Sequence, residues 1–276
     1  MGHGFERGRT ARGMVAAGAL IAVCGLPSLA QAQDEDVFGW VREPFEDPII
    51  TERPTFSTSP QALPAGRFQL ETGFDLQFDN APGVDTEIGT LPLALLRYGV
   101  FTGVEVQVGW AGASFISTNG ETTVGTGDLD LNVKVELTEQ NGRMPNVGLF
   151  ASISLPVGDE TGSTNVDPSG GVLWSHALSQ KLGLFGNILV AGPSNGEDRF
   201  FQLANSVGVS RALTPSLAVF AEYVAEFNTE VIDQHTSGFG FTYLINRNLQ
   251  IDLNGGFGLS RGTPDGFLGG GVAYRW

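Results

Sequence analysis

The chain has 276 residues, with 15 Lys and Arg against 30 Asp and Glu, a formal charge of −15, 39 glycines and one cysteine. So acidic a balance argues against nucleic acid as a partner, because nucleic-acid binding needs basic patches to displace counterions. A single cysteine leaves no internal disulfide framework.

The N-terminus holds Arg7, Arg9 and Arg12 against one acid, Glu6, followed by an apolar run from Met14 to Pro27 and then Ala30-Gln31-Ala32. A basic region, a short apolar stretch and an A-x-A site predict a secretory signal peptide over 1–32, cleaved after Ala32. The run is too short and too glycine-rich to be a comfortable membrane anchor. A lipoprotein signal is disfavoured because Val23 precedes Cys24 where a small residue is expected. Cleavage removes Cys24, three basic residues and one acid, leaving 12 basic and 29 acidic residues and a net charge of −17.

Residues 33–64 form a second region: acidic, with Pro44, Pro48, Pro54, Pro60 and Pro64, and without alternation. It cannot be a central strand. The simplest expectation is a loose periplasmic leader. A sharper one has Glu52 to Phe56 folding into the mouth of a barrel as a plug, with Arg53 meeting acids inside.

From residue 65 to 276 the sequence alternates with period two, the mark of strands with two different faces. Leu129, Leu131, Val133, Val135 and Leu137 alternate with Asp128, Asp130, Asn132, Lys134 and Glu136; Leu249, Ile251 and Leu253 alternate with Gln250, Asp252 and Asn254. Mid-strand charges on the polar face suit the interior of a membrane barrel whose apolar face meets lipid. Short turns recur at roughly thirty-residue spacing, as in hairpin arrays. Ala177 to Leu182, Ala212 to Leu217 and Leu244 to Leu249 look alike; 98–104 and 139–145 fill equivalent slots. Longer connections are expected at 79–86, 111–125, 157–168, 192–198, 228–233 and 260–264. The count predicts an all-β fold, a closed antiparallel transmembrane β-barrel of about twelve strands. Their cores are expected at 67–78, 87–98, 103–110, 127–138, 146–156, 170–178, 181–191, 199–211, 216–227, 235–245, 247–259 and 266–276. Even strand number puts both ends on the periplasmic side.

Glycines inside strands, such as Gly238, Gly240, Gly255, Gly256 and Gly269 to Gly271, suit curvature and close approach in a closed sheet. Aromatics near strand ends suggest girdles: Tyr98, Tyr243, Tyr274 and Trp276 on the periplasmic side, Phe78, Trp110 and Phe227 on the other. The chain closes on an outward aromatic. Tyr274 and Trp276 therefore read as a signal for the barrel-assembly machinery, and outer-membrane lipids as the surrounding partner.

On these registers Glu71, Asp75, Arg97, Glu105, Asp130, Lys134, Glu222, Glu226, Asp252 and Arg275 point inward and line the pore. They form either a salt-bridged interior that stiffens the barrel or a polar constriction that screens small-molecule solutes. Acids outnumber bases seven to three among them, so a conducting lumen should prefer cations or neutral solutes.

Two constellations suggest other chemistry. Asp128-Leu-Asp130-Leu-Asn132 with Glu139 begins like a calcium loop, but the sixth position is Val133 where such a loop needs glycine; no metal site is assigned. His176 and His235 invite a Ser/His hydrolase. Ser175 adjoins His176, yet successive strand residues point to opposite faces, and no nucleophile motif surrounds either histidine. The reading is therefore not an enzyme, with no cofactor.

Three stretches carry a family resemblance. Thr51-Glu-Arg53-Pro54-Thr-Phe56-Ser-Thr-Ser59-Pro60 leads into Pro64-Ala-Gly66-Arg-Phe-Gln69-Leu-Glu71-Thr-Gly73. Leu96-Arg97-Tyr98-Gly99-Val100 precedes Val104-Glu105. Leu155-Pro156-Val-Gly158 accompanies the closing Gly270-Gly-Val-Ala-Tyr274-Arg-Trp276. Together they resemble the outer-membrane transporter family named for the meta-pathway of phenol degradation, from about Thr51 to Trp276. Glu52 and Thr55 depart from that family's usual Asp-Arg-Pro-Asp-Phe opening. The resemblance implies a porin-like barrel that passes small, hydrophobic or aromatic solutes across the outer membrane. The alternative is a structural or adhesive outer-membrane barrel without a conducting pore.

Overall fold

Alternating sequence builds strand after strand, and the strands close on themselves. The structure, a computed structural model, describes residues 44–195 and 198–276; the expected signal peptide, 1–32, lies outside the described residues. The strands begin with β1 (Phe68–Ala81), β2 (Val84–Phe101), β3 (Val104–Trp110), β4 (Ala113–Thr118) and β5 (Glu121–Thr126). Next come β6 (Leu129–Thr138), β7 (Asn146–Leu155), β8 (Asp167–Ala177), β9 (Leu182–Ala191), β10 (Ser194–Asn195) and β11 (Asp198–Arg199). The last five are β12 (Gln202–Ala212), β13 (Leu217–Asn228), β14 (Gln234–Asn246), β15 (Leu249–Gly258) and β16 (Gly266–Arg275).

Leaving aside β4, β5, β10 and β11, each strand pairs antiparallel with the next, and β1 pairs with both β2 and β16, closing a twelve-stranded barrel. At the seam the Phe68 and Trp276 backbones exchange hydrogen bonds of 3.1 and 3.0 Å. Closure leaves no unpaired edge around the wall, which a sheet in hydrocarbon requires.

The barrel is inverted relative to a soluble protein. Among the described residues the buried apolar side chains are Ile49, Leu63, Leu173, Ala225 and Ala273, against fourteen buried polar or charged ones. Leu131, Val133, Ile251, Leu253, Phe239 and Phe241 are exposed on the outer face. That face is apolar along whole strands, as lipid contact demands. Phe68 lies 4.4 Å from the Tyr98 ring and 5.8 Å from the Trp276 ring, which stacks on Tyr274 at 5.8 Å. These rings form one interfacial cluster across the seam, at the end carrying Trp276 and the short turns.

Two of those turns share one device. The Ser179 hydroxyl accepts the N–H groups of Lys181 and Leu182, and the Thr214 hydroxyl those of Ser216 and Leu217, at 2.9–3.2 Å. The third, at Leu244 to Leu249, instead uses the Asn246 side chain to accept the Asn248 N–H at 2.8 Å.

Two expected connections are ordered hairpins. The 79–86 segment continues both strands to Ala81 and Val84 around Pro82-Gly83, with Gly83 at φ 83°. Proline followed by a left-handed glycine is the signature of a type II turn. The 111–125 segment is the β4–β5 hairpin, turning at Asn119 (φ 51°) and Gly120 (φ 88°). Asn-Gly in this conformation makes the type I′ turn that matches strand twist. β4 pairs with the outer half of β2, from Thr86 to Leu91, while β3 pairs with the inner half, from Ala94 to Phe101. Pro92, which has no N–H for the ladder, sits where β1 and β2 shift register.

Asp128, in the connection between β5 and β6, anchors the outer loop after β7. It accepts the N–H groups of Gly158 (3.0 Å) and Ser163 (2.7 Å). Burial alone would raise its pKa, but these donors and the Ser163 hydroxyl outweigh it and hold the group below the ordinary 3.8. A carboxyl with a depressed folded-state pKa contributes its tie above the ordinary value and loses it as pH falls through the folded one. Hydrogen-exchange protection at 158–163, corrected for intrinsic rates, is expected to hold from pH 7 down to about 4 and to fall below that. In Asp128→Asn, protection should be low throughout.

Candidate functional site

Residues 44–66 enter the barrel at the end that carries the short turns and return to it before β1 begins. Entry is clamped by arginines: the Phe45 ring lies between Arg67 (4.7 Å) and Arg275 (4.0 Å), in cation–π range. Arg275 also donates to the Asp47 carbonyl, Arg247 donates to the Glu46 carbonyl, and the Ile49 N–H donates to the Arg247 carbonyl at 2.8 Å. Arg275 thus sits at the rim rather than deep in the lumen.

Further in, five charged groups form one network. Arg97 on β2 donates to Glu105 on β3 through Nε (2.7 Å) and Nη2 (3.0 Å), and to Glu71 on β1 through Nη1 (2.9 Å). Its Nη2 is also 3.1 Å from Glu52 Oε1. Lys134 on β6 reaches the same Glu52 oxygen at 2.5 Å and lies 3.7 Å from Glu105. Side-chain exposure is 1% or less for all but Glu52, at 10%. Charges this buried persist only when paired and hydrogen-bonded, as these are.

Inward acids also hold the main chain of the segment. Glu71 accepts the N–H groups of Glu52 and Arg53 at 2.9–3.1 Å. Glu222 on β13 accepts those of Phe56 (2.8 Å) and Ser57 (2.9 Å), together with the Ser57 hydroxyl. Glu136 accepts from Ala62 (3.1 Å) and Glu105 from Leu63 (2.7 Å). An extended chain in a lumen has N–H groups that need acceptors, and the carboxylates supply them. The Ser57 and Ser206 hydroxyl oxygens are 2.6 Å apart.

Glycines make the room. Gly73 and Gly271 are register partners across the seam. A Cβ at Gly73 would meet the Arg53 guanidinium carbon at 2.6 Å, and one at Gly271 the Arg53 Nε at 2.4 Å. Arg53 lies over this bare patch and reaches Asp252 on β15 at 3.2 Å. Gly238 and Gly256 are also partners; Phe56 lies over the first and Phe267 over the second. Beyond curvature, these glycines serve the close approach of residues 51–60.

Cavities lie on both sides of the segment. One of about 690 Å³ opens among Pro44 to Ile50, Glu136, Glu139 and Arg275. Two more, about 410 and 250 Å³, lie toward the outer end; Asp75, Asp128 and Asp130 line the first, Phe56, Asp75 and Glu226 the second. Asp75 accepts from Gln77 at 2.9 Å. Glu136 and Glu52 belong to the site, although neither was among the inward residues selected from sequence. Glu136 was legible from its alternation with Val135 and Leu137; Glu52 required the fold of the leader.

Among the described residues neither candidate histidine has its ring hydrogen-bonded to a serine. Ser175 accepts from Asn146 at 3.1 Å, and His176 follows it on the opposite face. His235 Nδ1 lies 2.6 Å from the Tyr223 hydroxyl, with the Phe227 ring edge-on at 5.7 Å.

A closed barrel with an apolar outside and a charged, segment-filled inside is an outer-membrane barrel of the porin type. Residues 51–276 match the family described as "Putative MetA-pathway of phenol degradation", and the chain belongs to that family. Among solved structures it is similar to the COG4313 outer membrane channel from Pseudomonas putida F1. That match has a TM-score of 0.59 at 15% identity and covers 79% of this chain and 98% of that one. It is also similar to the KdgM porin in complex with disordered oligogalacturonate, with a TM-score of 0.50 at 10% identity, covering 75% and 98%. No match was found among curated proteins.

Proposed function

We propose that the protein is a passive outer-membrane channel for small solutes, hydrophobic or aromatic in the family's manner, with residues 44–64 as a plug that narrows the lumen. The plug and cavity residues described above line its path. The observation that supports this most is that one segment, residues 44–64, lines cavities at two levels of the lumen: Phe56 an outer one, Phe45 and Gln61 to Pro64 the inner one. That segment is held by hydrogen bonds and ion pairs, which can exchange with water, rather than by covalent links. The likeness to the outer membrane channel of Pseudomonas putida F1 agrees with the reading. Tyr274 and Trp276 serve assembly in this reading, and residues 1–32 export.

Seven acids against three bases among the selected inward positions set the expected selectivity. Recorded in a planar bilayer under a salt gradient, the refolded protein should show discrete openings with a reversal potential of the cation-selective sign. Anion-selective openings would refute the assignment of the filter. A correctly inserted but silent barrel would favour the structural reading, to which the dense bonding of the plug lends some support.

A further inference from the structure

The outer 250 Å³ cavity differs from the rest of the lumen because aromatic rings and carboxylates meet there without a cation. Its apolar walls are Phe56, Phe267, Val224 and Pro264, and its carboxylates are Asp75 and Glu226. Phe56 and Phe267 pack edge to face, with centroids 5.4 Å apart and planes at 76°. Phe56 sits inside the barrel, yet half of its surface remains open. Its place is fixed from behind by Glu222, which holds its N–H, and by Gly238, which leaves room for the ring.

The charges on the cavity wall are unbalanced. No lysine, arginine or histidine lines it. Among the described residues Glu226 makes no ion pair, and its hydrogen bond comes from the Gln202 amide at 3.4 Å. Arg53, whose charge is felt at Asp75, is engaged by Asp252 at 3.2 Å. A half-buried carboxylate without a counter-ion favours a cation, and an aromatic face attracts one as well.

We infer that this cavity is a binding site for a small organic ammonium ion: an apolar body against Phe56 and Phe267, and a positive head on Glu226 with Asp75 beside it. The size sets an upper limit, since drug-sized ligands occupy pockets of roughly 300 Å³ and above. A primary amine on a single ring or short alkyl body fits that bound. The inference deepens the channel reading by naming a solute class, and it rests on that reading only for the site's purpose.

The test is binding, which keeps it separate from conduction. The refolded protein in nonionic detergent is titrated calorimetrically at pH 7 with benzylammonium, with its neutral isostere benzyl alcohol and with benzoate. Benzylammonium should bind about tenfold or more tightly than benzyl alcohol, with benzoate weakest. In Glu226→Gln that preference should shrink to within about threefold while benzyl alcohol is unaffected. Glu226 is not part of the plug network, so this variant should fold, and heat-modifiable gel migration checks that it does. Phe56→Ala should weaken both aryl ligands. Equal affinity for benzylammonium and benzyl alcohol, undiminished preference in Glu226→Gln, or no binding to the folded wild type would each overturn the site. A barrel that conducts but binds no amine loses only this inference; one that binds the amine but never conducts loses only the channel.

Discussion

Replacing Arg97 by methionine is expected to destabilise the barrel by about 3–5 kcal/mol, the cost of leaving buried charges without their partner. Three carboxylates depend on this guanidinium: Glu105 through two bonds, Glu71 and Glu52 through one each. Methionine fills similar volume but donates nothing, and Lys134 cannot serve Glu71, which it does not contact among the ion pairs found. Lysine at position 97 should rescue little, because the fork geometry is what reaches three acids at once. The surface pair Arg199–Asp167, at 3.3 Å with the arginine 43% exposed, is the control. Arg199→Met should change stability by less than about 1 kcal/mol. Urea unfolding of the refolded protein, followed by tryptophan fluorescence, measures both. Equal midpoints for Arg97→Met and wild type would show that the network does not hold the fold.

Deleting residues 33–58 while keeping the barrel intact is expected to raise single-channel conductance several-fold. The segment removed carries Arg53, Glu52 and the N–H groups held by Glu71 and Glu222. Without it the cavities at the two ends become continuous, and Glu71 and Glu222 face water. Glu52 and Arg53 leave together and their charges cancel, while Glu71 and Glu222 lose the N–H groups that occupied them, so cation preference should persist. Because the main chain makes much of the contact, single side-chain changes such as Thr55→Ala should leave conductance near wild type. A deletion variant with unchanged conductance would mean that residues 51–60 do not limit passage.

Much of the fold is legible in the alternation. Leu129 to Leu137 and Leu249 to Leu253 announce both faces of β6 and β15, and the twelve strand cores lie within a few residues of the observed barrel strands. Period two survives because one face meets lipid for its full length. The β4–β5 hairpin escaped because polar residues around Ile116 and Val124 mask the pattern, although Asn119-Gly120 marks the turn. Harder to read was the interior. Gly73 and Gly271 are 198 positions apart, and only closure of β1 on β16 makes them one bare patch for Arg53. Nor does a proline-rich stretch without alternation reveal that its N–H groups meet Glu71, Glu105, Glu136 and Glu222, since backbone donors carry no residue-type signal. Glu52 is a surface-type residue in composition and a buried counter-ion in the fold.

Residues 51–60 lie inside the lumen, and on the proposed function they limit passage through it. The most direct measurement is to replace Ser57 and Ser206, whose hydroxyl oxygens are 2.6 Å apart, with cysteine together and to record conductance before and after reduction. The expression background has no competing thiol once residues 1–32 are removed, since Cys24 is the sole cysteine. A disulfide needs sulfurs about 2.05 Å apart, and hydroxyl oxygens 2.6 Å apart put the two side-chain tips within reach of one. The bond is expected to form spontaneously in the exported protein, the oxidised barrel to conduct poorly, and reductant to raise its conductance in single steps. Failure of the two cysteines to join in the folded barrel, or identical conductance in the oxidised and reduced states, would contradict the proposed plug.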